Sequence, residues 1–261
     1  MSERRDSEGP AYLVPALSKA FRVLELLKGE DRELTAAQIA KATGWHKSTV
    51  QKLLVTLGHY GAVDRDEGTR RYSLGIALAD YGRIALRNLD VRRAARPLLK
   101  ALVDAAGETA VLAVLHGSKV IFVDKAEPPI QIRVSPQIGW RIPATANALG
   151  KALIAWLPEP QIAEMIRKEG LSSRTPKTIV DPLAYRKDLA ATRERGYSDE
   201  YEEFHEGINA VAAPVFNSRG EVIATLSVCG PTFRMTAERM QEFGRRCVEM
   251  ASTLSHRLSG A

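Results

Sequence analysis

Residues 35–57 read TAAQIAKATGWHKSTVQKLLVTL, two short amphipathic segments with a glycine between them. Thr35 and Gln38 have the spacing of a capping box, in which each side chain bonds the backbone amide of the other, so a helix is expected directly after Thr35. Gly44 suits the left-handed residue that ends such a helix. The segment from Trp45 to Tyr60 has apolar residues on one side at helical spacing. Two short helices joined by a tight turn predict a helix-turn-helix, whose second helix lies against DNA.

The other side of the second helix is polar and carries no acid. Residues 35–63 contain three lysines and neither Asp nor Glu, which is the charge balance that a surface facing phosphates requires. Amide and hydroxyl side chains can read base edges in the major groove, while lysines bind guanine or phosphate. The candidate DNA contacts on this helix are Lys47, Ser48, Thr49, Gln51 and Lys52.

A β-hairpin is expected directly after the second helix. The residues from Asp66 to Thr69 have turn chemistry and separate two short strands, so the hairpin is interpreted as the wing of a winged helix-turn-helix. Arg70 and Arg71 on its return strand are candidates for contacts with phosphates or the minor groove, whereas Asp66 and Glu67 argue against deep insertion of the tip. The alternative is a small helical packing module without a nucleic-acid partner.

The composition of the 261 residues is that of a globular protein, 45% hydrophobic and 26% charged, which excludes a disordered or fibrous chain. Lys and Arg number 37 against 31 Asp and Glu, and the net charge of +6 permits binding to a polyanion.

Cys229 and Cys247 are too few for a disulfide framework, so a reducing, cytoplasmic location is expected. No run approaches the ~18 apolar residues of a membrane span, so no membrane partner is expected. His46 and His59 are interpreted as solvated or capping residues, and no metal, cofactor or catalytic residue is expected.

The rest of the chain predicts a second, mixed domain. A helix over residues 75–88 is apolar without a clear partner in the first domain, so it is interpreted as a joining helix used in dimerisation. From residue 110 onwards helices and antiparallel strands segregate, which predicts an α+β domain. Strands are expected at 110–115, 119–124, 130–134, 197–201, 208–216 and 221–228, and helices at 92–106, 146–157, 159–168, 182–195 and 236–258.

The stretch TANALG at residues 145–150 is a candidate binding site because it precedes or opens a helix. Free backbone amides and the positive end of a helix favour an anion, so a carboxylate is the expected ligand. The alternative is an ordinary buried helix start with Asn147 as its N-cap.

Seven short motifs occur in order along the chain: PALSKA (15–20), GWHKSTV (44–50), RYSLG (71–75), ALGKAL (148–153), RGY (195–197), AAPVF (212–216) and SVCGP (227–231). Together they resemble the IclR family of bacterial transcriptional regulators, from about residue 13 to 258. The resemblance implies a winged helix-turn-helix over residues 13–74, a linker helix over 75–90, and a GAF-like α+β domain over 91–258. That last domain would have an antiparallel sheet, bind a small-molecule effector and oligomerise. Family members are typically dimers or tetramers that act as repressors or activators.

The resemblance also implies which residues line the effector pocket. The family often has Ser or Thr where this chain has Asn147, and Cys where it has Ala210, so the ligands of better-known members cannot be copied. The candidate effector-binding residues are Asn147, Ala148, Leu149 and Gly150 at the helix start, Glu200 at an acidic position, and Ala210, Ser227 and Cys229 on the sheet side.

These observations lead to the hypothesis of a ligand-responsive transcription factor. A symmetric dimer would bind a pseudo-palindromic site on double-stranded DNA, with half-sites about one helical turn apart or more. A small organic acid in the second domain would modulate that binding. Two alternatives stay open: a redox sensor through Cys229 and Cys247, and an enzyme with Cys229 as nucleophile and His116 or His205 as its base.

Overall fold

The computed structural model describes residues 13–28, 33–87 and 90–259. The chain forms two compact units that divide between Leu86 and Arg87. The finer division into 13–74, 75–90 and 91–258 stays a prediction, and the expected end of the linker helix at residues 88–89 lies outside the described residues. Across the three described ranges, no helix is both long and apolar enough to cross a bilayer.

The first unit contains α1 (Pro15–Leu27), β1 (Leu34–Thr35), α2 (Ala36–Thr43), α3 (Lys47–His59), β2 (Val63–Arg65), β3 (Arg71–Leu74) and α4 (Ala77–Arg87). The capping box is confirmed: the Gln38 amide donates to Thr35 Oγ1 at 3.3 Å, and the Thr35 amide donates to Gln38 Oε1 at 2.8 Å. Gly44 ends α2 with a φ of 73°, in the left-handed region that glycine adopts freely. The predicted helix-turn-helix is therefore confirmed as α2 and α3.

A small sheet and one apolar cluster hold these helices together. The predicted hairpin forms from β2 and β3, and β1 pairs with the free edge of β3 to give the antiparallel order β1-β3-β2. The cluster joins α1, α2 and α3 to the sheet, so one side of α3 is buried and its polar side faces outwards. Its buried members include Val23, Leu27, Ile39, Val50, Leu54 and Tyr72.

The second unit contains α5 (Asp90–Ala106), β4 (Thr109–His116), β5 (Lys119–Ala126), β6 (Arg141–Pro143), a 3₁₀ turn (Ala144–Ala146), α6 (Ala148–Ile154), α7 (Glu159–Glu169), α8 (Pro182–Arg195), β7 (Ser198–Tyr201), β8 (Ile208–Phe216), β9 (Val222–Pro231) and α9 (Ala237–Ser259). The six strands form one antiparallel sheet in the order β6-β5-β4-β9-β8-β7, which confirms the α+β prediction. Helix α6 packs on β8 and β9, while α5 and α9 contact each other and the sheet. Strands β8 and β9 are buried along almost their whole length because helices cover both faces of the sheet.

The predicted strand at 130–134 is wrong, because residues 127–140 form an irregular segment. Prolines at 128, 129 and 136 cannot donate to a strand ladder, and local bonds hold the segment instead. Arg133 donates to the carboxylate of Glu127 at 2.9 Å and to the carbonyl of Ile130 at 2.7 Å. Ile132 is 67% exposed, so the alternation of apolar residues does not mark a buried face. The short strand β6, which follows this segment, was not predicted.

Gly150 allows α6 to lie against the 3₁₀ turn before it. A Cβ at this position would overlap the backbone carbonyl of Ala144, so no other residue fits without moving the main chain. The glycine therefore has a packing role in the second unit.

We predict that Gly150→Ala lowers the free energy of unfolding by about 1–3 kcal/mol or more, because the added methyl meets backbone that cannot move aside. Chemical denaturation followed by circular dichroism measures this loss. Gly82→Ala is the control, since Gly82 is also helical but has open space around it. Equal effects of the two substitutions would contradict the close packing of α6.

Candidate functional site

The sequence-predicted residues of α3 lie together on its outer side. Lys47, Ser48, Gln51 and Lys52 are exposed, and Thr49 is half-buried. The opposite side of the helix is fixed in the core of the first unit by Val50 and Leu54. The outer side therefore offers an amide, two hydroxyls and two ammonium groups with no carboxylate among them, a set that suits base edges and phosphates.

His46 is the N-cap of α3. Its Nδ1 accepts a hydrogen bond from the Ser48 amide at 3.4 Å and lies 2.8 Å from Ser48 Oγ. Ser48 is thus exposed but already bonded within the protein, unlike a hydroxyl that is free to turn towards a base. His59 is exposed at the other end of α3, with its ring edge-on to Tyr60. No group of His, Cys, Asp and Glu in the described ranges is suited to hold a metal ion.

The two arginines of the wing differ from the expectation that both lie on the return strand. Arg70 is exposed and has a φ of 55°, and it lies in the turn before β3, where Asp66 Oδ1 accepts the amide of Thr69 at 2.6 Å. Arg71 is on β3, but its Nη1 donates to the carbonyl of Glu33 at 2.9 Å. Arg70 is therefore the better placed of the two for a phosphate, and Arg71 ties β3 to the residues before β1.

A pocket in the second unit lies between α6, the sheet and the irregular segment 127–140. It contains about 530 Å³ of unoccupied space, part of which opens to solvent. Six of the eight predicted effector-binding residues line it: Asn147, Leu149, Glu200, Ala210, Ser227 and Cys229. The other lining residues are Val111, Phe122, Val134, Pro136, Trp140, Ile142, Phe204, His205 and Ile208, most of them apolar.

Ala148 and Gly150 do not line the pocket, and the expectation that their amides are free for a ligand is wrong. The Ala148 amide donates to Glu200 Oε2 at 3.0 Å, and the Gly150 amide donates to Asn147 Oδ1 at 2.8 Å. Asn147 is thus the N-cap of α6, as the alternative interpretation held, and its side chain also faces the pocket. The start of α6 is satisfied from within the protein because buried amides need a partner.

Glu200 on β7 is a buried carboxyl in this pocket. It is 4% exposed, and its Oε1 accepts the amide of Phe204 at 2.9 Å while its Oε2 accepts the amide of Ala148. Burial raises the pKa of Glu200 to about 7, although the two amides and the charge of Lys151 act in the opposite direction. Glu200 therefore carries a proton part of the time near neutral pH.

A buried charge cluster that was not predicted lies beside Glu200. Lys151 of α6 is fully buried, and its Nζ is 2.8 Å from Glu203 Oε1 and 2.8 Å from Asp188 Oδ2. Burial alone would lower the pKa of Lys151, but the two carboxylates outweigh it and the pKa is raised. The cluster joins α6 to α8 and to the turn after β7. The sequence signal that could have revealed the cluster is a lysine within the apolar run ALGKALIAW, residues 148–156.

Both cysteines are buried thiols. Burial raises the pKa of Cys229 to about 12 and that of Cys247 to about 12, so both are protonated near neutral pH. His205 lines the same pocket as Cys229, whereas His116 is exposed at the end of β4. A thiol without thiolate character is a poor nucleophile and a slow target for oxidants.

We predict that Glu200 makes the stability of the protein depend on pH. A raised pKa in the folded state means that stability is greatest at low pH and is lost as the pH rises through about 7. Between pH 5 and pH 8 the wild type should lose about 2–3 kcal/mol relative to Glu200→Gln, as measured by urea unfolding. Glu206→Gln, which removes an exposed carboxyl nearby, is the control and should parallel the wild type. Parallel curves for Glu200→Gln and wild type would contradict the buried, protonated carboxyl.

Proteins with the same sequence pattern and fold are known. The HTH-type transcriptional regulator BhcR of Paracoccus denitrificans is 35% identical over 242 residues, which span 93% of this chain and 86% of BhcR. The crystal structure of an IclR transcriptional regulator from Alicyclobacillus acidocaldarius matches with a TM-score of 0.83 and 34% identity, covering 94% of this chain and 99% of that one. An IclR homologue from Microbacterium hydrocarbonoxydans, solved in complex with 4-hydroxybenzoate, has the same fold, with a TM-score of 0.79 at 24% identity over 94% and 100% of the two chains.

Family models cover both units. The IclR helix-turn-helix domain matches residues 16–67, and the bacterial transcriptional regulator IclR C-terminal domain matches residues 83–256. The first match contains α2 and α3, including the outer polar side of α3. The second match contains the pocket. The chain therefore belongs to the IclR family of ligand-responsive, DNA-binding transcriptional regulators.

Proposed function

We propose that α3 lies in the major groove of double-stranded DNA and reads it through the outer side described above. The observation that carries this proposal is the exposed, acid-free set of polar side chains on a helix whose other side is fixed in a core. Gln51 can pair bidentately with adenine, Thr49 offers a hydroxyl and a methyl group, and Lys47 and Lys52 bind guanine or phosphate. Arg70 in the wing adds a phosphate contact.

The regulator works as a dimer, or as a tetramer built from dimers, on a pseudo-palindromic operator. An exposed apolar stripe runs along α1 and the residues just before it, in which the side chains of Leu17 and Phe21 are 59% and 67% exposed. Ile76 at 80%, Tyr81 at 63% and Ile84 at 50% form a second exposed apolar set at the start and along the side of α4. Exposed apolar surface of this kind favours association. A second copy of the chain is the partner that supplies two identical DNA-binding domains for the two half-sites.

The effector is a small organic acid with an apolar, preferably aromatic body. Phe122 and Trp140 stack in the pocket wall with ring centroids 5.9 Å apart, and Phe204 lies in the same wall. Asn147, Glu200 and Ser227 supply the polar groups that orient a ligand. A pocket with mostly apolar walls and a few convergent polar groups is typical of small-molecule sites. The family neighbour that holds 4-hydroxybenzoate agrees with this ligand class.

The effector changes DNA binding rather than undergoing a reaction. It shifts the regulator between states that differ in DNA affinity, by an amount limited to its own difference in affinity for those states. The burial and raised pKa of Cys229 and Cys247 argue against both an enzyme with a cysteine nucleophile and a thiol redox sensor. A regulator of this kind acts in the cytoplasm, where its DNA lies.

We predict different effects for two substitutions on α3. Lys52→Ala should weaken binding to operator and shuffled DNA alike and reduce the slope of log K against log salt by about 1, because it removes a phosphate contact. Gln51→Ala should cost about 1–3 kcal/mol on the operator alone, because it removes a base contact. Fluorescence anisotropy with duplexes from the region upstream of the gene measures both.

The control is Lys187→Ala, which removes the same charge from an exposed position on α8 of the second unit. DNA affinities of Lys52→Ala and Gln51→Ala that equal that of Lys187→Ala would mean that α3 does not contact DNA.

We predict that benzoate raises the melting temperature of the wild type and that Trp140→Ala weakens benzoate binding about 10-fold, because an aromatic pair contributes about 0.5–1.5 kcal/mol beyond the area it buries. Differential scanning fluorimetry over a benzoate titration measures the effect. Ile132→Ala is the control, since Ile132 belongs to the same irregular segment but is 67% exposed and does not line the pocket. If Ile132→Ala lost as much affinity as Trp140→Ala, the assigned pocket would be wrong.

A further inference from the structure

The pocket already contains a carboxylate at the place where a helix start attracts anions. Glu200 reaches from β7 to the first residue of α6, where its Oε2 accepts the Ala148 amide at 3.0 Å. Its other oxygen accepts the Phe204 amide at 2.9 Å, so both oxygens are held while the group still lines the pocket. A ligand carboxylate that binds here therefore meets a carboxyl of the protein instead of a free helix end.

Among the described residues that line the pocket there is no Lys or Arg to neutralise a second negative charge, and Arg174, whose guanidinium lies 4.4 Å from the centre of the Phe204 ring, is exposed outside that lining. On α6 the nearby cation is Lys151, but Glu203 and Asp188 both hold its Nζ at 2.8 Å. In the turn after β7, Glu203 is itself acidic, and on β9 Cys229 is a neutral thiol. His205 in the pocket wall is exposed. Two carboxylates that share a largely apolar site cannot both stay ionised at low cost.

We infer that an effector carboxylate enters this pocket together with one proton, which is taken from solvent and held on Glu200, so that effector binding depends on pH. This inference rests on the proposed effector class. No covalent bond forms or breaks apart from the O–H bond on Glu200. The protonated carboxyl donates that hydrogen to the effector carboxylate, and its oxygens keep the amide bonds of Ala148 and Phe204, since each oxygen has a lone pair for an amide.

The electrostatics of the pocket support the same direction. Burial places the pKa of Glu200 at about 7 before any ligand binds, and a neighbouring negative charge raises it further. At pH 6 most molecules already carry the proton, whereas at pH 8 the proton has to be taken up on binding. With these values the dissociation constant of a carboxylate should be about 10-fold larger at pH 8 than at pH 6.

The test is isothermal titration calorimetry of the full chain with benzoate and, as a neutral ligand of similar shape, benzyl alcohol. Titrations at pH 6 and pH 8, each in two buffers of different ionisation enthalpy, give both the affinity and the number of protons taken up. We expect benzoate to bind about 10-fold more weakly at pH 8 and to take up close to one proton there. Benzyl alcohol should bind without a comparable pH change or proton uptake.

Two variants separate the proton of Glu200 from one on His205, which also lines the pocket. In Glu200→Gln the affinities for benzoate at pH 6 and pH 8 should agree within about 2-fold, because the proton acceptor is gone. In His205→Gln the 10-fold difference should persist; if it vanished there instead, the proton would belong to His205 and the inference would be wrong. If Glu200→Gln does not fold, the proton counts of the wild type and of His205→Gln together decide the question, because a proton that is still taken up without His205 belongs to Glu200.

The remaining outcomes are distinct. Benzoate binding to wild type with equal affinity at both pH values and without proton uptake would overturn the inference and leave the proposed effector class in place. A wild type and a Glu200→Gln variant that bind benzyl alcohol but bind benzoate at neither pH would overturn the effector class, and the inference with it.

Discussion

The buried start of α6 is the constraint on which the second unit depends. Its amides cannot reach water, so acceptors from the protein have to lie within hydrogen-bond distance. Asn147 Oδ1 accepts the amide of Gly150 and Glu200 Oε2 accepts that of Ala148. The absence of a side chain at Gly150 lets the helix lie against Ala144, with its start directed at β7. The side chains that satisfy the helix also face the pocket, so one set of polar atoms serves both the fold and the proposed ligand site.

The two functional surfaces of the chain consequently differ in kind. The pocket is largely apolar, and Asn147 and Glu200 are already bonded to the backbone at the start of α6, so the proposed ligand has to share these two side chains with α6. The side of α3 that we propose to contact DNA is exposed, and its long side chains, such as those of Lys47 and Gln51, can adjust to a groove. A buried site with fixed polar groups gives selectivity for the effector, whereas an exposed cationic helix gives DNA affinity that depends on salt.

Local chemistry in the sequence was enough to predict most helices and strands. Contacts between residues that are distant along the chain could not be predicted. The capping box of Thr35, the left-handed Gly44 and the N-cap Asn147 each act within a few residues, so their effect can be predicted from spacing alone. The bond between Glu200 and Ala148 joins residues 52 positions apart, and no local pattern indicates that it fills the helix start. The apolar alternation at 130–134 failed for a different reason, since prolines at 128, 129 and 136 and local bonds hold an irregular segment there, and β6 forms the sheet edge after it.

We propose that this chain recognises specific DNA through α3. The most direct measurement is a titration of the purified full chain against a duplex from upstream of its own gene, at two salt concentrations, with a shuffled duplex of the same composition alongside. We expect tight binding to the upstream duplex that weakens steeply with salt, and much weaker binding to the shuffled duplex. Equal, weak binding to both duplexes at both salt concentrations would contradict it.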